Sequence, residues 1–258
     1  MSTTVIGGAP PKPRPPPTPI SHLPTDSARL YTHIHPLLLL SLYTYQFPSI
    51  VADPVAGLAA TLVPLAALQI AYVAVCLPPT GNGTGSGAGN GPASGGAGGE
   101  KRKIGEKKKA NGSAGKSDGI GGRIIPAVLS VLLSLLVAAP LLTAALVLFG
   151  APITTHHAHT LLCGAHIAFL AAIPLVYVHG VDGAAWRDAV ALLLPVDEVY
   201  GGLLGAVCGA WLGAVPIPLD WDREWQKWPV TIVTGAYIGY VFGRLLGGTM
   251  LKGKKVMF

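Results

Sequence analysis

The chain has 258 residues, half of them hydrophobic and only 12% charged, with a mean hydropathy of +0.52. That composition excludes an ordinary soluble domain and indicates a membrane protein of several spans. The net charge of +6 fits the Lys and Arg excess of cytoplasmic loops, and no groove-reading module accompanies it, so nucleic acid is not an expected partner.

Residues 1–34 are rich in proline, densest over Pro11–Pro19, and are expected to form a disordered cytosolic tail. The first 35 residues hold no apolar core with a small-residue cleavage site, so no cleaved signal is expected. Residues 35–77 read as a first transmembrane hairpin: a short apolar stretch Pro36–Val51, a polar break at Asp53-Pro54, and a second span Pro54–Leu77. Residues 78–123 are rich in Gly, Ser and Asn and then basic from Glu100 to Lys109, the composition of a disordered loop. Within it, Gly115-Lys116-Ser117 lacks the upstream glycine and the preceding strand of a phosphate loop, and that reading is excluded.

Residues 124–251 read as a four-span membrane domain, with spans at Ile124–Phe149, about 157–178, about 199–215 and 230–251. A polar link covers 179–198, a second polar interlude covers 216–229, and residues 252–258 form a short basic tail. The expected fold is an all-α polytopic bundle of about six spans. If both termini face the cytosol, fifteen of the eighteen bases fall on that side and only Arg223 and Lys227 on the other. This orientation places residues 216–229 on the lumenal or exterior side. It makes the acceptor sequences at Asn82 and Asn111 cytosolic, hence unglycosylated. The three cysteines, Cys76, Cys163 and Cys208, lie in apolar segments and read as buried hydrophobes.

The interlude, Pro216–Pro229, is set between two glycine stripes: Gly201, Gly205, Gly209 and Gly213 before it, and Gly235, Gly239, Gly243 and Gly247 after it. Glycines four apart leave a bare helix face that another helix can approach closely. Whether the two stripes meet each other or another subunit is open at this level. Within the interlude, Trp221, Trp225 and Trp228 have the spacing of one helical face. Asp220 is placed to cap such a helix, with Asp220–Arg223 and Glu224–Lys227 at pairing distance. A short interfacial helix follows, acting either as an anchor or as a docking surface. Asp220 and Asp222 lack the nucleophile, histidine or metal-ligand set that a catalytic role needs. His156, His157, His159 and His166 gather near the start of the fourth span without acidic or thiolate partners, and read as interfacial or capping groups rather than metal ligands. Arg244, inside the last span, either snorkels to the cytosolic interface or pairs with Asp197 or Glu198.

Longer stretches carry a resemblance. The run from Gly209 to Gly239, G-A-W-L-G-A-V-P-I-P-L-D-W-D-R-E-W-Q-K-W-P-V-T-I-V-T-G-A-Y-I-G, resembles the signature of the PIG-F family of glycosylphosphatidylinositol (GPI) anchor biosynthesis, most nearly its fungal branch. F-G-A-P-I-T-T-H at Phe149–His156, H-T-L-L-C-G-A-H at His159–His166 and S-L-Y-T-Y-Q-F-P-S-I-V-A-D-P near the start are similar too. The resemblance implies a multi-pass endoplasmic reticulum protein that assigns no catalytic residue, metal or cofactor to itself. It would be the stabilising partner of large multi-pass ethanolamine phosphate transferases, which add phosphoethanolamine to mannoses of the GPI precursor, the third included. Membrane lipid, the GPI precursor with phosphatidylethanolamine as a second candidate, would be a further contact. On this reading Asp220, Trp221, Asp222, Arg223, Trp225, Gln226 and Trp228 form a lumenal docking or lipid-contact surface. The glycine stripes pack helices, and on this reading also receive the transferase's spans. The rival readings are a lipid flippase and a small membrane transferase using Asp220 and Asp222.

Overall fold

Residues 16–80, 120–219 and 221–255 are described by the computed structural model, and among them every regular element is helical. Helix α1 covers Asp26–Ala52, α2 Pro54–Cys76, α3 Ile120–Leu133, α4 Ala139–Leu148, α5 His157–His179, α6 Gly183–Val190, α7 Glu198–Gly213 and α8 Val230–Gly248. A π-turn at Ser134–Ala138 joins α3 to α4 as one rod. Its cause is Pro140, which has no amide to donate and whose ring crowds the carbonyl one turn back, so the turn widens by a residue. Among the described residues, four helices are long and apolar enough to cross a membrane: Pro54–Cys76, Gly121–Leu148, His157–His179 and Val230–Gly248.

The remaining two differ from expectation in instructive ways. Helix α1 starts ten residues before the apolar stretch, because Thr25 caps it by accepting the Ala28 amide at 3.2 Å. The tail expected to run disordered to residue 34 therefore gives way to ordered chain earlier; residues 1–15 lie outside the described residues, as do 81–119 with Asn82 and Asn111. Helix α7 has 16 residues, about 24 Å at 1.5 Å per residue, short of a hydrocarbon core of roughly 30 Å. Within the polar link, α6 is a further short helix, capped by Asp182.

Helix α5 is the centre. It is buried on nearly every side, as expected for a helix apolar all round. His166, midway along it, is fully buried and satisfied at both nitrogens. Nε2 lies 3.0 Å from the Leu58 carbonyl and so donates, leaving Nδ1 to accept from the Tyr237 hydroxyl at 3.1 Å. One imidazole thus ties α2, α5 and α8.

Helices α7 and α8 run antiparallel, stripe against stripe. A Cβ on Gly209 would stand 2.8 Å from Gly239 Cα, and one on Gly243 2.7 Å from Gly205 Cα. Each stripe therefore fills the other. Contact this close gives van der Waals attraction and weak Cα–H···O bonds in a setting where apolar burial alone provides little drive.

At the end of the bundle that holds both terminal segments, a buried charge cluster closes the α7–α8 pair. The Arg244 guanidinium donates to Glu198 through Nε at 3.0 Å and again through Nη2, and donates through Nη1 to His35. It also lies 4.0 Å over the Tyr72 ring. Arg244 is 2% exposed, so it does not reach out to the interface. The N-terminal segment covers the cluster: His22 meets Glu198 at 2.7 Å, and the Ile20 amide donates to Asp197 at 2.9 Å. Burial pushes the Asp197 carboxyl above its ordinary value, and the amides of Tyr200 and Ile20 pull it back.

Candidate functional site

The opposite end gathers three connections: Asp53 between α1 and α2, residues 149–156 between α4 and α5, and the interlude between α7 and α8. The interlude does not form the expected helix with three indoles on one face. Only Glu224–Gln226 makes a 3₁₀ turn. Pro216 and Pro218 remove amide donors at one end, and Pro229 forces extended backbone before it at the other, so too few residues remain to nucleate a helix.

Gln226 organises the loop instead. Its Nε2 donates to the carbonyls of Pro216 at 2.8 Å and Leu219 at 2.5 Å, while its Oε1 accepts the Arg223 amide at 3.0 Å. These bonds draw both limbs of the interlude together. Asp222 takes a left-handed conformation (φ +50°), which Asp tolerates better than most residues. Lys227 pairs with Glu224, as the spacing predicted. Asp220 lies outside the described residues, and with it the expected cap and its pair with Arg223.

The tryptophans divide. Trp221 and Trp225 form a tilted pair with centroids 5.8 Å apart, and Trp221 is 53% exposed. Trp228 turns inward, donating from Nε1 to Thr160 Oγ1 at 3.1 Å; that hydroxyl donates in turn to the Pro152 carbonyl at 2.6 Å. The interlude is thereby fastened to the α4–α5 connection. Beside it opens a polar recess of about 530 Å³ lined by Ala52, Asp53, Pro54, His156, His159, Lys227 and Trp228. His156 and His159 meet edge to face at 5.1 Å on its wall. His166, expected near them, lies in the core.

A second, apolar groove of about 680 Å³ runs along the outer side of the α7–α8 seam, between Phe47 and Trp225 at one end and Leu251 at the other. Each stripe packs against the other, and seven of the eight glycines also line this groove, so the stripes stay partly open along that side. The least covered helical surface is the α3–α4 rod, where Ile125, Leu136 and Leu141 are each about two-thirds exposed.

Sequence reasoning missed Asp53 and Thr160 as parts of this end, and placed Gln226 on the docking surface without its role in holding the loop together. Asp53-Pro54 carried a legible helix-break signal; nothing local marked the other two.

The family model described as GPI biosynthesis protein family Pig-F matches residues 34–248. Glycosylphosphatidylinositol anchor biosynthesis protein 11 of Aspergillus fumigatus is 48% identical, over 92% of this chain and 84% of the relative. The protein of the same description from Neurospora crassa is 46% identical, over 92% and 80%. The human protein described as GPI ethanolamine phosphate transferase, stabilizing subunit, is 34% identical over 39% of this chain and 48% of its own. No solved structure matches.

Proposed function

The chain belongs to the Pig-F family of GPI biosynthesis proteins, and on that premise we propose that it is the accessory, stabilising subunit of an ethanolamine phosphate transferase. The reaction it supports is the addition of phosphoethanolamine to mannoses of the GPI precursor, the third included, at the endoplasmic reticulum membrane. The chemistry belongs to the large multi-pass partner. The observation that carries this reading is the family match across nearly all of the helical region, joined to the stabilising-subunit description of the human relative.

Six spans with both termini cytosolic is the arrangement that best accommodates the helices. Three connections gather at one end, and the described terminal segments, with Arg29, Arg187, Lys252, Lys254 and Lys255, at the other. In this reading α7 spans despite its length because α8 holds it along the glycine seam, and α1 spans against α2. The interlude then faces the lumen. Asp220, Trp221, Asp222, Arg223, Trp225, Gln226 and Trp228 form the surface beneath the transferase's lumenal domain, with the exposed Trp221, paired with Trp225, as its anchor. The transferase's membrane helices meet the α3–α4 rod, whose large apolar side chains face outward.

Co-purification after detergent extraction tests the reading. The chain should bring down a large multi-pass transferase, and Trp221→Ala with Trp225→Ala should weaken that association without unfolding the bundle. A chain that never associates with such an enzyme refutes it.

A further inference from the structure

The recess beside the interlude has its own chemistry. Three segments far apart in sequence converge on it: Asp53 from the α1–α2 turn, His156 and His159 from the start of α5, and Lys227 with Trp228 from the interlude. Its lining therefore combines cationic and N–H donor groups with one carboxylate. Asp53 Oδ1 is engaged by the amides of Val55 and Ala56 at 3.0 and 3.1 Å, so its position is fixed by the α2 cap. Trp228 is fixed too, by its bond to Thr160 and through it to the Pro152 carbonyl. Lys227 reaches the rim from its pair with Glu224. The volume of about 530 Å³ lies within the range of small-molecule sites, roughly 300–1,000 Å³.

We propose that this recess binds a zwitterionic phosphate ester bearing a primary amine, with the phosphate held by His156, His159 and Lys227 and the ammonium by Asp53. Imidazole N–H groups and an ammonium give charge-assisted bonds to phosphate oxygens. A fixed carboxylate accepts from a primary ammonium, which a quaternary amine cannot match because it has no N–H. The Trp228 ring adds a face for the cation. The recess sits at the ends of α1, α2, α5 and α8, the level at which a lipid headgroup would meet a spanning protein. The site deepens the lipid-contact part of the proposed function and rests on that reading for its placement at the membrane surface.

The test uses the full-length chain, purified from vesicles of phosphatidylcholine, phosphatidylethanolamine and phosphatidylglycerol in equal parts, with retained lipid measured by mass spectrometry. Phosphatidylethanolamine should be enriched over phosphatidylcholine. Asp53→Asn, which keeps an acceptor for the α2 cap, should abolish that preference. His159→Gln with Lys227→Gln should cut retention of phosphatidylethanolamine about tenfold, the loss of two charge-assisted contacts at an open site. Added phosphoethanolamine distinguishes the source: displacement at matched concentration identifies the soluble ester, and retention of the lipid identifies the headgroup. Retained lipid that mirrors the vesicles, or a preference that survives both variants, overturns the proposal. On the unaltered chain, phosphatidylethanolamine with a photoreactive group beside its amine should label residues 52–54 or 156–159; labelling confined to the α7–α8 groove also overturns it. An unaltered chain that associates with the transferase but shows no lipid selectivity refutes this inference alone. Loss of association with selectivity intact refutes the subunit reading alone.

Discussion

Replacing Gly239 by Ala adds one methyl group at one of the closest points of the α7–α8 seam. Its Cβ would stand 2.8 Å from Gly209 Cα and 3.0 Å from the Gly205 carbonyl carbon, and closer still to that carbonyl's oxygen. Ordinary contact begins near 3.4 Å, so that oxygen, the nearest atom, requires the two backbones to part by about 1 Å. A gap of that size forfeits up to roughly half of the dispersion well for each flanking contact, and the other glycine pairs of the seam open with it. Both obstacles are backbone, so no side chain can swing aside. Overpacking of this kind costs about 1–3 kcal/mol, which for a chain of this size lowers Tm by about 3–10 °C. Thermal unfolding of the detergent-solubilised protein, followed by size-exclusion elution, reads the change. Gly121→Ala is the matched control, since nothing lies within 4 Å of a Cβ there. If Gly239→Ala behaves like Gly121→Ala, the seam does not hold the two helices together and the reasoning fails.

Other expectations follow from the same structure. Glu198→Gln leaves the buried Arg244 charge uncompensated and should cost about 3 kcal/mol in thermal stability. Adding Arg244→Met to it should recover most of that loss; a double variant less stable than the single one would show that the cluster has another role. Gln226→Ala removes the three hydrogen bonds that draw the interlude together and should speed amide exchange over residues 216–229 roughly tenfold, with Tm unchanged. Unchanged exchange there would remove Gln226 from its place in the loop. Glycosidase treatment should produce no mobility shift, because the proposed topology keeps Asn82 and Asn111 in the cytosol; a shift lost on Asn82→Gln or Asn111→Gln would invert it.

Much of this fold can be read from the chain. Apolar runs locate α2, α5 and α8 nearly to the residue, and Asp53-Pro54 announces a break because it closes one helix and caps the next. The glycine stripes declare close packing, but a stripe carries no label for its partner, so only the structure shows each filling the other. The start of α1 was hidden because Ser27–His33 mixes polar and apolar groups, and its order comes from a cap and from contacts with Cys76 and Asp197 that no local pattern encodes. Tryptophan spacing in the interlude is truly helical. It misleads because three prolines and the Gln226 bonds outweigh periodicity over so short a stretch. Glu198 was legible as a partner for Arg244 because both sit at the same end of adjacent spans. The recess was not, since it needs three turns brought together by the packing of α5.

The central claim is that this chain supports the transfer of phosphoethanolamine to the GPI precursor. Depleting it and identifying the precursors that accumulate tests this most directly. The account predicts mannosylated precursors lacking phosphoethanolamine, the third mannose among the unmodified positions, with the modification restored when the chain is supplied again. Precursors that remain fully modified after depletion would contradict it.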